Sequence, residues 1–157
     1  MYKHILVPLD GSRAGSLALR HARELALKFG SKVSLVRVVA PSRLATANLG
    51  TPESLAASEM VFEEAERQDA LSLSQVKAYL AKHRRALEQA GVKDTATHGE
   101  VGNAPDVILA YAKKRKADLI VMTTRGRSGI ARAFLGSVAD ELVRSAVAPV
   151  LVIKRQD

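Results

Sequence analysis

The stretch TTRGRSGIARAFLGS (residues 123–137) combines residue types that could hold an anion. It contains three glycines and three arginines, and it directly follows the apolar run DLIVM. Glycine backbone adopts positive φ and approaches an anion closely, while arginine supplies a rigid fork of N–H donors. A helical pattern begins after Gly136 and Ser137, where unpaired N–H groups and the helix dipole favour negative charge. The stretch predicts a phosphate cradle, with a nucleic-acid contact or a solvated connection as the alternatives.

The start of that helix has a capping signature of its own. Ser137 is a good N-cap residue, and Asp140 three positions later resembles a capping box with Asp in place of Glu. A purely structural role, in which Gly136 and Ser137 only start a helix, remains open. The three arginines likewise fit either phosphate pairing or ordinary solvated loop charges.

Two well-known phosphate-binding loops are missing from the sequence, and no group of residues in it demands catalysis. It contains neither G-x-x-x-x-G-K-[ST] nor a G-x-G-x-x-G after the first strand, so it predicts no P-loop and no dinucleotide site. Without a P-loop lysine or a water-activating base, any hydrolysis is expected to be slow. His21 is expected in the core, on the apolar face of the first helix. The histidines, which fall on different predicted elements without metal-ligand spacing, are His4, His21, His83 and His98.

Composition narrows the class of protein. A chain of 157 residues with 47% hydrophobic residues fits one folded domain. It has no cysteine, no apolar run near the roughly 20 residues of a membrane span and no signal-peptide pattern, so we expect a cytoplasmic protein. The net charge of +8 either favours anionic partners or reflects basic residues that only keep helix faces hydrated. Because only 4% of residues are aromatic, nucleic-acid binding on stacking platforms is the least favoured role.

Apolar runs alternate with helical patterns along the chain, in the order β-α-β-α-β-α-β-α-β. Residues 40–58 are predicted as a long excursion after the second strand. The predicted strands are 4–9, 32–39, 92–101, 117–122 and 148–153, and the predicted helices are 14–29, 58–90, 105–116 and 138–147.

This alternation predicts an α/β fold with one open, parallel, five-stranded sheet and helices on both faces. Most of the strands are near-continuous apolar runs, as expected when both faces of a sheet are covered. In the predicted strand order 3-2-1-4-5, strands 1 and 4 flank the switch point, beyond whose carboxyl ends ligands bind. The stretches PLDGS and TTRGRSG would then face one cleft, while VVAPS follows strand 2.

Three segments resemble the universal stress protein family. DLIVMTTRGRSGIARAFLGSVADELVRSAVAPVLVIK is similar to its C-terminal signature, and KHILVPLDGSRAGSLALRHARELALKFGSKVSLVRVV to its first β-α-β unit. GEVGNAPDVILAYAKKRKADLIVM resembles its third strand, turn and fourth strand. The resemblance covers nearly all of a single domain (1–157), is weakest in the variable residues 41–72, and implies a Rossmann-like, adenine-nucleotide alpha-hydrolase-like fold.

The ATP-binding branch of that family carries the pattern G-x2-G-x9-G-[ST]. Gly126 and Gly136 are separated by nine residues and Ser137 follows, so most of the pattern is present. Thr123 stands where the pattern has its first glycine, and Gly129 has the wrong spacing to replace it.

The resemblance implies ATP as the ligand, with Mg²⁺ as a possible companion. Asp10 is expected at the ribose hydroxyls or as a ligand of phosphate-bound Mg²⁺, and an Asx turn that caps the first helix is its structural alternative. The implied nucleotide-binding residues are Pro8, Leu9, Asp10, Val38, Gly102, Met122, Thr123, Arg125, Gly126, Arg127, Gly136, Ser137 and Val138.

The resemblance also implies a role in stress response or regulation rather than catalysis. The family commonly forms homodimers through the last strand, here Pro149–Ile153, and an unpaired apolar edge strand would otherwise favour aggregation. The protein partner is unknown. The competing hypotheses are a dimeric interaction module that binds no nucleotide, and a slow ATPase or phosphotransfer enzyme.

Overall fold

A computed structural model of the chain describes residues 1–12, 15–42, 52–124, 136–145 and 147–154, with side chains for all of these except 52–61. The strands are β1 (His4–Pro8), β2 (Lys32–Val39), β3 (Thr95–Val101), β4 (Leu119–Thr124) and β5 (Val150–Lys154). The helices are α1 (Gly15–Phe29), α2 (Pro52–Gln89), α3 (Ala104–Arg115) and α4 (Ser137–Arg144). None of the helices in these ranges is both long and apolar enough to cross a bilayer.

The five strands form one sheet in the order β3-β2-β1-β4-β5, and every pair is parallel. The predicted order and direction are therefore confirmed. The ladder of β2 with β3 covers seven residue pairs, whereas that of β1 with β4 covers only Ile5↔Leu119 and Leu6↔Ile120. The central ladder is therefore confined to the first half of β1.

Two apolar clusters hold the helices against the sheet. Side chains alternate along each strand, so neighbouring residues enter opposite clusters and both faces are covered. One cluster lies under α1 and α2 and includes Ile5, Val7, Leu35, Leu80 and Val121. The other lies under α3 and α4 and includes Leu6, Val36, Ile108, Ile120 and Leu142.

Several helix and strand boundaries differ from the predicted ones. Helix α2 begins at Pro52, before the predicted residue 58, and proline suits a first helical position. Strand β3 begins at Thr95 rather than Val92. Val92 is buried, and its N–H donates to the carbonyl of Leu87, so it closes the end of α2 instead of opening the strand.

The amino edge of the sheet is tied together by polar groups. The Asp118 carboxylate accepts hydrogen bonds from the N–H of Lys3 at 2.8 Å and of His4 at 3.0 Å. The buried His4 ring places Nδ1 2.9 Å from the Arg115 carbonyl and Nε2 2.7 Å from Ser34 Oγ. His4 is therefore a structural residue far from the carboxyl edge. The expectation for His21 was wrong, because that side chain is exposed on α1.

Helix α2 offers a matched pair of leucines that tests this packing. Leu80 is 1% exposed and Leu71 is 58% exposed. We expect Leu80→Ala to lower the free energy of unfolding by about 2–5 kcal/mol, because it leaves a cavity against the sheet. Leu71→Ala should change it by less than about 0.5 kcal/mol. Urea unfolding followed by circular dichroism measures both, and equal effects would contradict the described packing of α2.

Candidate functional site

The central strands open toward the carboxyl edge of the sheet. Strands β1 and β4 are paired only through Ile5 and Leu6, yet β1 continues to Pro8 and β4 to Thr124. From β1 the chain continues to β2 and β3 on one side of the sheet, whereas β4 and β5 lie on the other side of β1. The direction of winding therefore reverses between β1 and β4, which is the switch point. In open α/β sheets such a crevice accommodates ligands.

The turn after β1 lines one side of this crevice. Asp10 is exposed, and its Oδ1 accepts a hydrogen bond from the Ser12 N–H at 2.9 Å, which is an Asx turn. The turn depends on glycine, since Gly11 has φ +82°. Leu9 is 3% exposed and belongs to the core under α1 and α2, so only its backbone can meet a ligand. Pro8, the last residue of β1, is partly buried.

Two side chains that the sequence did not single out lie against this turn. The guanidinium Cζ of Arg37, from β2, lies 4.6 Å from the ring centroid of Tyr79, from α2. A Cβ added to Gly11 would lie 2.5 Å from Nη2 of Arg37, so the guanidinium covers the glycine backbone. Burial raises the pKa of Tyr79, the Arg37 charge lowers it, and the Asp10 charge raises it. Helix α2 therefore reaches the turn through a stacked cation.

A third ring continues this stack along α2. His83 meets Tyr79 edge to face, with ring centroids 4.5 Å apart. Burial lowers the pKa of His83, and the neighbouring Lys82 charge lowers it further. Both effects favour the neutral imidazole beside the tyrosine.

The ends of β2 and β3 form the next part of the edge. The Leu9 N–H donates to the Val36 carbonyl at 2.8 Å, and the Gly102 N–H donates to the Val39 carbonyl at 2.9 Å. Backbone groups alternate in direction along a strand, so those of Val38 point the same way as those of Val36, toward β1. The ladder with β1 ends at Val36, which leaves Val38 facing the crevice beyond it.

The end of β4 contains two of the predicted residues. Met122 is buried in the cluster under α3 and α4, so its side chain serves the core. Thr123 pairs with Ile153 of β5 and is partly buried. It lies inside the strand, where a β-branched residue is favoured, and its φ is not positive. Threonine at this position therefore causes no backbone strain.

Helix α4 begins differently from the prediction. Gly136 is the N-cap, with φ +88°, and Ser137 is the first helical residue. The capping box is wrong, since no side chain caps the helix and Asp140 instead pairs with Arg144 at 2.8 Å. The helix lacks a side-chain cap because glycine occupies the capping position, so its first-turn N–H groups keep their capacity to bind an anion. Val138, in that first turn, is partly buried.

The rest of the predicted phosphate loop is not described. Arg125, Gly126 and Arg127 lie outside the described residues, as do Gly129 and Arg132. Within the described ranges, no three histidine, aspartate or glutamate side chains converge as metal ligands. The carboxyl edge of the sheet thus has an exposed carboxylate and strand-end backbone groups, and α4, which follows β4, starts without a side-chain cap. Such groups can donate hydrogen bonds to a polar ligand and accept them from it.

The contact between Gly11 and Arg37 is testable by a double-mutant cycle. Gly11→Ala should lower the free energy of unfolding by about 1–2 kcal/mol from positive φ alone. A smaller further loss should come from displacing the Arg37 guanidinium from the Tyr79 ring, because the added Cβ would lie 2.5 Å from Nη2. Gly30 has φ +67° with nothing within 4 Å of an added Cβ, so Gly30→Ala measures the strain alone. In an Arg37→Met background, the effect of Gly11→Ala should fall to that of Gly30→Ala. Urea unfolding of the variants measures this, and an unchanged effect would contradict the contact.

The fold is shared with solved structures. A hypothetical protein whose biochemical function was assigned from its structure aligns with a TM-score of 0.81 and 24% identity, covering 100% of this chain and 99% of that one. A universal stress protein in complex with cAMP aligns with a TM-score of 0.69 and 23% identity, covering 98% and 97%. A third, the Archaeoglobus fulgidus universal stress protein in complex with dAMP, has a TM-score of 0.61 and 22% identity, covering 98% of each chain.

Sequence comparison identifies the family. A universal stress protein of Methanocaldococcus jannaschii is 35% identical over 157 residues, covering 99% of this chain and 84% of that relative. The family model described as "Universal stress protein family" matches residues 1–154. With this match over nearly the whole chain, and with the fold and crevice already described, the chain belongs to the universal stress protein family.

Proposed function

We propose that this protein binds ATP, or another adenine nucleotide, in the crevice between β1 and β4, and that it acts in stress response or regulation as a homodimer. The observation that carries the proposal is the short central ladder, which ends at Leu6 of β1, before the turn that contains Asp10. The start of α4, which has no side-chain cap, follows β4 along the chain and is the proposed second side of the crevice. Fold neighbours bound to cAMP and dAMP support an adenine nucleotide as the ligand class.

The chemistry of the lining residues suggests how the nucleotide is oriented. The backbone of Val38 is suited to the edge of the adenine base, near Gly102 and Met122. The Asp10 carboxylate is an acceptor for ribose hydroxyls, and it is also a candidate ligand for Mg²⁺ carried by the phosphates. Mg²⁺ when bound would supply positive charge to the phosphate oxygens.

The phosphates fit the start of α4. Gly136, Ser137 and Val138 present backbone N–H groups at the positive end of the helix dipole. Gly126 adds to the proposed cradle by its place in the family's ATP pattern, in which Thr123 stands at the position of the first glycine. Arg125 and Arg127 are candidates for pairing with the phosphates. Because glycine at position 136 has positive φ, the backbone can turn toward an anion there.

We propose binding rather than catalysis as the primary activity. The sequence has no P-loop lysine, and the buried His4 is occupied by structural hydrogen bonds at the opposite edge of the sheet. Slow ATP hydrolysis is the second candidate. A cysteine-free chain is suited to the cytoplasm, which is the proposed location.

The proposed dimer uses the outer edge of β5. This strand pairs with β4 on one side, and its position at the end of the sheet leaves the other side open within the described chain. Leu151 is 36% exposed, and Val143 and Val147 are also exposed large hydrophobic residues near it in sequence. Burying an apolar edge against a second copy removes an aggregation-prone strand from water.

ATP binding is tested by titration calorimetry with a phosphate-cradle variant. Wild-type protein should bind ATP with Mg²⁺ saturably, and Gly136→Val should weaken binding at least about tenfold, or about 1.4 kcal/mol. The reason is that valine disfavours the φ of +88° found there. Gly30→Val is the matched control, because it also replaces a glycine with positive φ but lies after α1. Absence of saturable binding to wild-type protein at millimolar ATP would contradict the proposal.

The dimer is tested by sedimentation equilibrium. Wild-type protein should show twice the chain mass of 16.9 kDa, and Leu151→Glu should show the monomer mass because it buries a charge at the interface. Leu71→Glu, at an exposed leucine of α2, should leave the dimer intact. A wild-type monomer, or equal dissociation by both variants, would count against pairing through β5.

A further inference from the structure

An arginine on the face of β2 that carries α2 occupies an unusual position. The same face of this strand contributes the fully buried Val33 and Leu35 to the apolar cluster. Arg37 follows two residues later, at the carboxyl edge, and its side chain is only partly buried. Its guanidinium stacks on the Tyr79 ring at 4.6 Å, a contact that is electrostatically favourable and holds the planar group in one orientation.

The same guanidinium also lies against the Asp10–Ser12 turn. A Cβ built at Gly11 would lie 2.5 Å from Nη2, 2.8 Å from Cζ and 3.1 Å from Nη1 of Arg37. Three atoms of one planar group are thus close to one backbone position. The guanidinium is therefore close both to the Tyr79 ring and to the backbone of Gly11.

The tyrosine itself is held beside the start of α1. A Cβ built at Gly15 would lie 4.0 Å from the Tyr79 hydroxyl oxygen. Burial raises the pKa of Tyr79, the Arg37 charge lowers it, and the Asp10 charge raises it. The ring of His83 supports Tyr79 from the next turn of α2 at 4.5 Å.

We propose that Arg37 and Tyr79 are positioning residues for the nucleotide site. From β2 and α2, they hold the Asp10–Ser12 turn in the conformation that presents the Asp10 carboxylate to the crevice. They set nucleotide affinity in this way without touching the nucleotide. The effect on affinity rests on the proposed nucleotide-binding function. The effect on the turn does not, because it is a property of the protein without ligand.

Three variants separate the parts of the stack. Arg37→Met keeps an unbranched apolar stem and removes the guanidinium. Tyr79→Leu removes the ring face, while Tyr79→Phe keeps the ring and removes only the hydroxyl. Arg84→Met is the matched control, since it removes an exposed arginine of α2 that pairs with Glu88 at 2.7 Å.

The first measurement is the backbone order of Gly11 and Ser12 in the ligand-free protein, by ¹⁵N relaxation. Wild-type protein and Arg84→Met should give order parameters of about 0.85, as rigid backbone does. Arg37→Met and Tyr79→Leu should lower them toward about 0.6, the range of flexible backbone. Tyr79→Phe should stay close to wild type. Unchanged order in both Arg37→Met and Tyr79→Leu would overturn the proposal, whatever the protein binds.

The second measurement is the dissociation constant for adenosine, AMP and ATP. Arg37→Met and Tyr79→Leu should weaken all three by the same factor, about five- to tenfold, because the shared loss is that of a pre-formed turn. A loss that grows from adenosine to ATP would overturn positioning in favour of a direct phosphate contact by Arg37. If wild-type protein binds none of the three, the proposed function fails, and the order parameters alone decide whether the pair holds the turn.

Discussion

The ladder between β1 and β4 is clamped at one end and open at the other, and the site depends on this difference. At the amino edge, the Asp118 carboxylate accepts hydrogen bonds from the N–H groups of Lys3 and His4, where β1 begins, and the Asp118 N–H donates to the His4 carbonyl at 3.0 Å. Charge-assisted bonds of this kind are stronger than neutral ones. Beyond Leu6 the two strands carry no further ladder pairs within β1 and β4, both of which are fully described.

Burial on both faces keeps that opening confined to the carboxyl edge. Ile5 and Leu6 are fully buried in opposite clusters, so the first half of β1 is fixed by helices on each side. The second half of β1 ends at Pro8, and the exposed Asp10 follows in the turn that leads toward α1. A crevice formed in this way is part of the sheet geometry itself, and its polar groups are strand-end backbone and turn residues. Such groups can fix the orientation of a polar ligand through hydrogen bonds.

Helix α2 contacts the sheet, Arg37 of β2 and the chain that follows β2. Its buried face packs on β2 and β3 through Val76, Leu80 and Leu87, while Tyr79 on the same helix contacts Arg37. Its amino-terminal half is also tied to the chain after β2, because Asp69 Oδ1 accepts a hydrogen bond from the Ser42 N–H at 3.0 Å. Helix α2 thus contacts the chain after β2 directly and reaches the turn after β1 through Arg37.

Local pattern was sufficient for the order and kind of the elements in this protein. Near-continuous apolar strands such as β1 and β2, separated by helical periodicity, required a parallel sheet covered on both faces, and β2 was predicted to the residue because β-branched residues fill Lys32–Val39. The sequence also located Gly136 and Ser137 at the start of a helix and Asp10 in a turn after β1, since glycine and aspartate act there through local backbone conformation.

Only the tertiary structure decided which of these residues meet, and what lies between them. Periodicity put His21 on an apolar face, but the sheet covers a narrower stripe of α1 and leaves it exposed. Gly136 occupies the N-cap position of α4, which local propensity assigned to Ser137. The contact of Arg37 with Gly11 and Tyr79 joins three elements that are distant in sequence, and strand pairing and helix packing alone bring them together. Residue type and spacing act over one or two turns of chain, whereas the stack depends on which face of β2 meets α2.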